Sequence, residues 1–333
     1  MTNIREQIRT KSVIATLFAS RSNGVQTTKW DNCIPDLVNA VHTFSPNISK
    51  TCWRHLDGDV QSSRVTEVTF TSLNEFSLRD LQKAPTIELF ETKHQVQVNF
   101  QVNHVFRRHK RLAVFDMDST LIQQEVIDEI ARQLGVEAQV SAITERAMNG
   151  ELDFTASLRE RCALLRGVSS NVFDDLKTVI TLSPGAAELV RALKALGFKT
   201  AVLSGGFSPL TSWQAQQLGL DYAHANHLVV HEDGNSLTGE VVGVIVDALK
   251  KKELLEEIAL ENSIDLDQVV AIGDGANDLP MMWAAGLGVA FNAKERVQKL
   301  APVRLNSGSL LDVLYLFGLT TEEIQQLLSL SDS

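Results

Sequence analysis

Residues 112–118 read Leu112-Ala113-Val114-Phe115-Asp116-Met117-Asp118, four apolar side chains in a row and then two aspartates two positions apart. A short run with no polar alternation has no wet face, as expected of a parallel strand covered by helices on both sides. Three similar, almost wholly apolar runs follow: Thr200-Ala201-Val202-Leu203, Val269-Val270-Ala271-Ile272 and Gly288-Val289-Ala290-Phe291. Between them Leu189, Val190, Leu193 and Leu196 keep helical spacing and stop at Gly197, and Leu254, Leu255 and Ile258 repeat the unit. Alternating helix and strand predicts an α/β fold, a doubly wound parallel sheet. One connection is too long, since about 70 residues separate the first strand from the helix near 185–196 and a crossover needs about a dozen. Val126, Ile127, Ile130 and Leu134 make one helical stripe there, and Phe154, Leu158, Cys162 and Leu165 another. The sequence therefore predicts a helical cap inserted at about 123–182.

Upstream the pattern differs. Val96, Val98, Phe100 and Val102 alternate with Gln97, Asn99 and Gln101, the signature of a strand buried on one face only, and Glu67-Val68-Thr69-Phe70-Thr71 is similar. This predicts a smaller N-terminal α+β domain over 1–105, with helices near 31–43 and 77–83 and a boundary near Val105 to Lys110, followed by the sheet domain over 106–333. A length of 333 residues agrees with two domains. Val13 to Ala19 reads as a first core element; the preceding Arg5, Arg9 and Lys11 faintly imitate a signal peptide, but Glu6 and the brevity of the apolar run oppose that.

With 31 Lys+Arg against 41 Asp+Glu the net charge is -10, which disfavours nucleic acid as a partner. The one basic cluster, Arg107, Arg108, Lys110 and Arg111, reads as a solvated strand edge. No apolar run reaches the roughly 18 residues of a membrane span, so no membrane partner is expected. Cys33, Cys52 and Cys162 are odd in number and unrelated in spacing, which favours a reducing compartment and hence the cytoplasm.

Polar residues follow each apolar strand: Asp116 and Asp118, then Ser204, then Asp274. In parallel sheets these carboxyl ends share one crevice. Any one of them is ordinary strand-end chemistry, but Asp-Met-Asp-Ser-Thr, Ser-Gly-Gly and Gly-Asp-Gly-Ala-Asn-Asp together are hard to ascribe to chance. Asp116, Asp118, Asp274 and Asp278 would repel one another unless a cation neutralised them, and all-oxygen ligands suit Mg²⁺. Gly205, Gly206 and Gly275 would let backbone N–H groups face a phosphate. Asp116 could then attack a phosphoryl group, with Asp118 as acid and base and a lysine among 250–252 supplying positive charge. His224, His227 and His231 lie in a hairpin-like stretch whose spacing does not gather them, so a zinc site is rejected.

Over about residues 111–318 the sequence resembles the phosphoserine phosphatases of the haloacid dehalogenase superfamily. The resemblance is carried by Phe115-Asp116-Met117-Asp118-Ser119-Thr120-Leu121, Ser204-Gly205-Gly206-Phe207 and Gly273-Asp274-Gly275-Ala276-Asn277-Asp278. It extends to Glu125 to Ala131, Phe154 to Arg161 and Leu237 to Val241. It implies Asp116 as nucleophile and Asp118 as acid/base. Mg²⁺ would be held by Asp116, the Asp118 backbone carbonyl and Asp274. Ser204, Gly205 and Lys251 would bind phosphate, Asn277 would orient it and Asp278 would stand behind it. Glu125 and Arg161 would grip the amino and carboxylate groups of O-phospho-L-serine, a pairing that suits a zwitterion. Phe154 and Met148 are expected to line the cap. The implied reaction is Mg²⁺-dependent hydrolysis of phosphoserine through an aspartyl-phosphate, ending L-serine biosynthesis. The N-terminal domain is read as regulatory, scaffolding or homo-oligomer forming. Competing readings are another phosphatase or phosphotransferase of the superfamily, a signalling receiver domain, which lacks both the insertion and the second aspartate, and a catalytically dead binding module.

Overall fold

The computed structural model describes residues 9–19, 30–58, 63–148 and 151–330. Arg5 and Glu6 therefore lie outside the described residues, as does the side chain of Met148.

The first sheet is built from β1 (Arg9–Ala19), β2 (Ile48–His55), β3 (Val65–Ser77) and β4 (Val96–Val102), with α1 (Trp30–Phe44) after β1 and α2 (Leu78–Gln82) and α3 (Pro85–His94) between β3 and β4. The order is β2-β3-β1-β4 and every pairing is antiparallel. The element expected at 13–19 is thus the inner strand β1. The helices expected near 31–43 and 77–83 are α1 and α2, while α3 was not foreseen. Trp30, Ile34, Leu37, Ile87 and Phe90 from α1 and α3 cover Val13, Leu17, Phe70 and Val98 on one face.

The other face departs from expectation. Asn99 and Gln101 of β4, Thr16 of β1 and Glu67 of β3 are buried rather than wet, because this polar face packs against the second sheet's unit. Gln101 Nε2 donates to Leu316 O at 3.1 Å, and Asn99 Oδ1 accepts from Arg304 N at 3.2 Å. Nor is the basic run 107–111 wholly a solvated edge: Arg108 and Arg111 are exposed, but Arg107 and Lys110 are buried. Arg107, only 5% exposed, pairs with Glu67 at 2.6 Å, Arg108 meets Glu323 at 2.7 Å, and Lys110 Nζ donates to Asp267 O at 2.6 Å. Arg64 completes the seam with a two-point contact to Asp312 at 2.7 and 2.9 Å, the planar fork that a carboxylate fits.

The second sheet has seven strands: β5 (Leu112–Phe115), β6 (Lys199–Phe207), β7 (Tyr222–Val230), β8 (Leu237–Val242), β9 (Val269–Gly273), β10 (Leu287–Phe291) and β11 (Val303–Leu305). Their order is β11-β10-β9-β5-β6-β7-β8, with β5 central; all pairs are parallel except β7 with β8, which form the hairpin anticipated around His227. The crossover helices include α8 (Ala186–Ala195), α9 (Ser208–Leu218), α10 (Ala248–Glu261), α11 (Leu279–Ala284) and α12 (Glu295–Leu300), and α13 (Val313–Leu316) and α14 (Thr321–Leu330) close the chain's described part. Strands β5, β9 and β10 are buried along their whole length, which explains their unbroken apolar sequences.

The long connection after β5 is helical: α4 (Val126–Leu134), α5 (Glu137–Met148), α6 (Phe154–Ala163) and α7 (Val172–Leu176). Val126 and Ile130 of α4 and Leu158 and Cys162 of α6 point into the main core, as their spacing predicted. The insertion leaves and returns at one place. Ile122 bridges Leu182 in antiparallel fashion, Gln123 N donates to Thr181 O at 3.0 Å, and Ser183 N to Leu121 O at 2.9 Å. Among the described residues no helix is long and apolar enough to cross a membrane.

Candidate active site

Strands β5, β6 and β9 lie side by side, so the residues at their carboxyl ends converge. Asp116 follows β5 directly and is 6% exposed. Ser204, Gly205 and Gly206 fall inside β6, but pairing with β7 jumps from Leu203–His224 to Phe207–Asn226, so the segment bulges out of the ladder. The Ser204 side chain accepts from Gly206 N at 2.9 Å, which shapes this bulge. Asp274 and Asp278 follow β9, and the backbone of Gly273 is approached so closely by the Asp278 carboxylate that a Cβ there would overlap it.

Lys251 joins the two sides. Its ammonium, completely buried, donates to Asp116 Oδ1 and to Asp278 Oδ1, each at 2.7 Å. Lys250 reaches Glu253 and Glu257 instead and Lys252 reaches Glu256, all on the surface of α10. Of the three adjacent lysines, only Lys251 sits in the crevice. Its position follows from the start of α10, where the Asp247 side chain caps Lys250 N at 2.8 Å. Burial acts to lower the Lys251 pKa, yet Asp116 and Asp278 hold it above its ordinary value.

The carboxylates outnumber this buried cation. Burial, with Asp116 and Glu125 adding repulsion, pushes Asp274 up to about 7. Burial and then Asp116 push Asp278 up to about 8 against the pull of Lys251. Asp118 is held well above the carboxylate range by burial, then by Glu125 and Asp116. Its Oδ1 is sealed from solvent with no hydrogen-bond partner among the described residues, and Oδ2 accepts only a long contact from Val126 N at 3.4 Å. Such a group is set to carry a proton. Asp116 Oδ1 also accepts from Met117 N at 2.7 Å, so that oxygen is fixed by two donors.

Oxygens of Asp116, Asp274 and Asp278 lie within 4.8 Å of one another, a set able to hold a cation. Asp278 is the least suited of the three to coordinate, because Oδ1 is taken by Lys251 and Oδ2 accepts from Gly275 N at 3.0 Å. Asn277 lies beside it, with Nδ2 at 3.5 Å from Asp278 Oδ1.

The cap brings its own residues. Phe154 of α6 lies over Gly205, where an added Cβ would come within 3.2 Å of the ring. Glu125, just ahead of α4, accepts from Ser119 Oγ at 2.7 Å, and Ser119 takes a left-handed φ of 53° to make the turn. Arg161 on α6 feels the fields of Asp128, Glu125 and Asp118, and its Nε donates to Ser157 O at 3.3 Å. An anion and a cation thus face the same crevice from two cap elements.

Two residues escaped the sequence reading. Asn226 is 1% exposed; its Nδ2 donates to Gly205 O at 2.9 Å and its Oδ1 accepts from Val246 N at 2.8 Å, tying the glycine bulge to the loop before α10. The one available signal was an amide between Ala225 and His227 in β7. Asp128, one turn along α4 from Glu125, contributes to the field at Arg161; it lies in the Glu125 to Ala131 stretch that carries the resemblance, without having been singled out there. His227 meets Ser208 at 2.9 Å, and no histidine joins a metal-ligand cluster among the described residues.

Residues 113–282 match the haloacid dehalogenase-like hydrolases. The phosphoserine phosphatase of Saccharomyces cerevisiae is 44% identical over 79% of this chain and 85% of its own. A solved phospho-aspartyl intermediate analogue of a phosphoserine phosphatase is 44% identical, covering 62% of this chain and 98% of its own with a TM-score of 0.58. A probable phosphoserine phosphatase from Vibrio cholerae, 31% identical, spans 95% of this chain and 89% of its own at a TM-score of 0.66, so its likeness extends across the first sheet as well. With the strand-end aspartates, the buried lysine and the helical cap in this arrangement, the chain belongs to the phosphoserine phosphatase family of the haloacid dehalogenase-like hydrolases.

Proposed function

We propose that the protein hydrolyses O-phospho-L-serine to L-serine and phosphate through a phosphate carried on Asp116. The observation that supports it most directly is the Lys251 bridge, which with Met117 N fixes one oxygen of Asp116 and leaves the other untouched by either donor, in the field of Asp118, whose carboxyl is held well above its usual range by burial. In the first half-reaction an Asp116 oxygen bonds to phosphorus, the bond from phosphorus to the serine oxygen breaks, and the Asp118 proton goes to that oxygen. In the second, water bonds to phosphorus, gives its proton to Asp118, and Asp116 departs. Ser204, Gly205 and Lys251 would receive the phosphoryl oxygens, with Asn277 orienting them and Asp278 holding Lys251.

Mg²⁺ fits the donor set: hard oxygens only, in excess over the buried cation, with Asp274 raised by burial and then by repulsion from Asp116 and Glu125. Asp116, Asp274 and the Asp118 carbonyl would hold it, and when bound it would supply positive charge against the transferred oxygens. We expect chelator to abolish phosphate release from O-phospho-L-serine and Mg²⁺ to restore it, with Mn²⁺ a substitute. Mg²⁺ at a hundred times its dissociation constant should also stabilise the fold by about 2.7 kcal/mol, seen as a higher melting temperature. Full activity in chelator with no thermal shift would remove the metal from this reading.

Selectivity for serine would rest on Glu125 toward the ammonium and Arg161 toward the carboxylate. Glu125→Ala and Arg161→Ala should each lower kcat/KM for phosphoserine by roughly ten- to more than a hundredfold, the worth of a charge-assisted contact of about 1.5 to 3 kcal/mol. A phosphomonoester lacking both charged groups should be hardly affected. Equal proportional losses on the two substrates would return the protein to a small-molecule phosphatase without a serine reader, and a panel of phosphomonoesters would then find its substrate.

The proposal includes a division of the chain near residue 105, with the chemistry in 106–333, a cap at about 123–182, and a regulatory or oligomer-forming role for 1–105. It also places the reaction at the end of a route to L-serine in the cytoplasm.

A further inference from the structure

A cavity of about 840 Å³ lies between the first sheet's unit and the second sheet, far from the aspartates. One wall is Arg79 and Gln82 of α2 with Asn99 and Phe100 of β4. The other is Lys110, Asp267, Gly286 and Pro302, residues that come just before the amino ends of β5, β9, β10 and β11. Asp116 and Asp274 stand at the opposite, carboxyl ends of β5 and β9. The cavity and these aspartates therefore face opposite edges of the sheet.

The size matches that of pockets for drug-sized molecules. Its chemistry is selective as well. Six cationic side chains, Arg79, Lys83, Arg107, Lys110, Lys299 and Arg304, line it against Glu88, Glu91 and Asp267, while Glu67 and Glu295 pair with Arg107 and Lys299 from outside the lining. Cations remain in slight excess here, against a net charge of -10 for the chain, and a local excess of positive charge favours anions. The remaining lining is apolar, with Phe100, Leu287, Leu300 and Val303, and Trp283 lies under the Arg79 guanidinium at 5.6 Å.

We propose that this cavity is a second ligand site, taking a small organic anion: an acidic group on an apolar or aromatic body. The acidic group answers the cations, and the body covers Trp283 and its apolar neighbours. The ligand would touch both sheets' units at once, and Trp283 belongs to α11, the helix that begins one residue after Asp278.

The probe is 8-anilinonaphthalene-1-sulfonate, an aromatic sulfonate whose fluorescence rises on leaving water, titrated into the full-length protein. Its uncharged relative N-phenyl-1-naphthylamine has the same body without the acid. Binding of the sulfonate should be saturable and at least about tenfold tighter than that of the neutral probe. Arg79→Ala should weaken it by about tenfold, and Ala301→Trp, which fills the cavity from its rim, should abolish it. Both variants should keep the wild-type melting temperature and phosphoserine turnover. No binding by wild type, equal affinity for the two probes, or equal affinity of all three proteins for the sulfonate would overturn the proposal and leave a water-filled seam.

Discussion

Asp116→Asn remains folded and loses turnover of O-phospho-L-serine by about four orders of magnitude or more, the scale of removing a covalent nucleophile. The amide keeps the shape of the carboxylate, and its carbonyl oxygen can still accept from Lys251 and from Met117 N, so the crevice retains its hydrogen bonds. Removing the charge also relieves repulsion, since Asp116 is among the causes that raise Asp118, Asp274 and Asp278. The variant should therefore melt no lower than wild type while failing to accept phosphate. Rapid quench with labelled substrate is the decisive measurement: wild type should carry acid-stable label on Asp116 and the variant none. Label found on another residue, or retained turnover, would refute the assignment.

Lys251→Met is expected to harm both stability and chemistry. The ammonium is the shared partner of two buried carboxylates, and removing one side of a buried ion pair costs about 3 to 5 kcal/mol because the remaining charges stay uncompensated. A phosphoryl-binding cation is lost at the same time, worth roughly a hundred- to a thousandfold in kcat. The double variant Lys251→Met/Asp278→Asn separates the two effects. Neutralising Asp278 should restore much of the stability, read by urea unfolding, without restoring kcat. A single variant as stable and as active as wild type would show that Lys251 neither balances the carboxylates nor meets the phosphate. Recovery of kcat in the double variant would assign the activity loss to structure alone.

The second sheet was legible because fully covered strands write themselves as unbroken apolar runs: Leu112 to Phe115 and Val269 to Ile272 could belong to little else. The insertion was legible by length and by the stripes of α4 and α6. What stayed hidden was whatever depends on a partner distant in sequence. Gln97, Asn99 and Gln101 alternate with apolar residues in the same way whether the polar face meets water or another sheet, and only the fold reveals Arg304 and Leu316 beneath them. Arg107 reads as a surface cation until Glu67 is brought against it. In the crevice, motif spacing supplied the aspartates, but nothing in Lys250-Lys251-Lys252 says which side chain faces inward; the phase of α10 decides it. Asn226 was beyond reach because its task, holding the Gly205 bulge to the loop at Val246, exists only in three dimensions.

The antiparallel bridge at Ile122 and Leu182 makes the cap a cassette. Because the chain departs and returns through one hydrogen-bonded ribbon, the distance between its ends is set by that ribbon and not by what lies between. The entropic penalty for closing the loop grows only with the logarithm of its length. The segment can thus lengthen, shrink or be exchanged without retying β5 to α8. Under the proposed roles, Glu125 and Arg161 travel with the cassette while Asp116, Asp118, Lys251 and Asp274 stay behind on the sheet. Such a division lets a lineage try new leaving groups while its phosphoryl-transfer machinery is inherited intact.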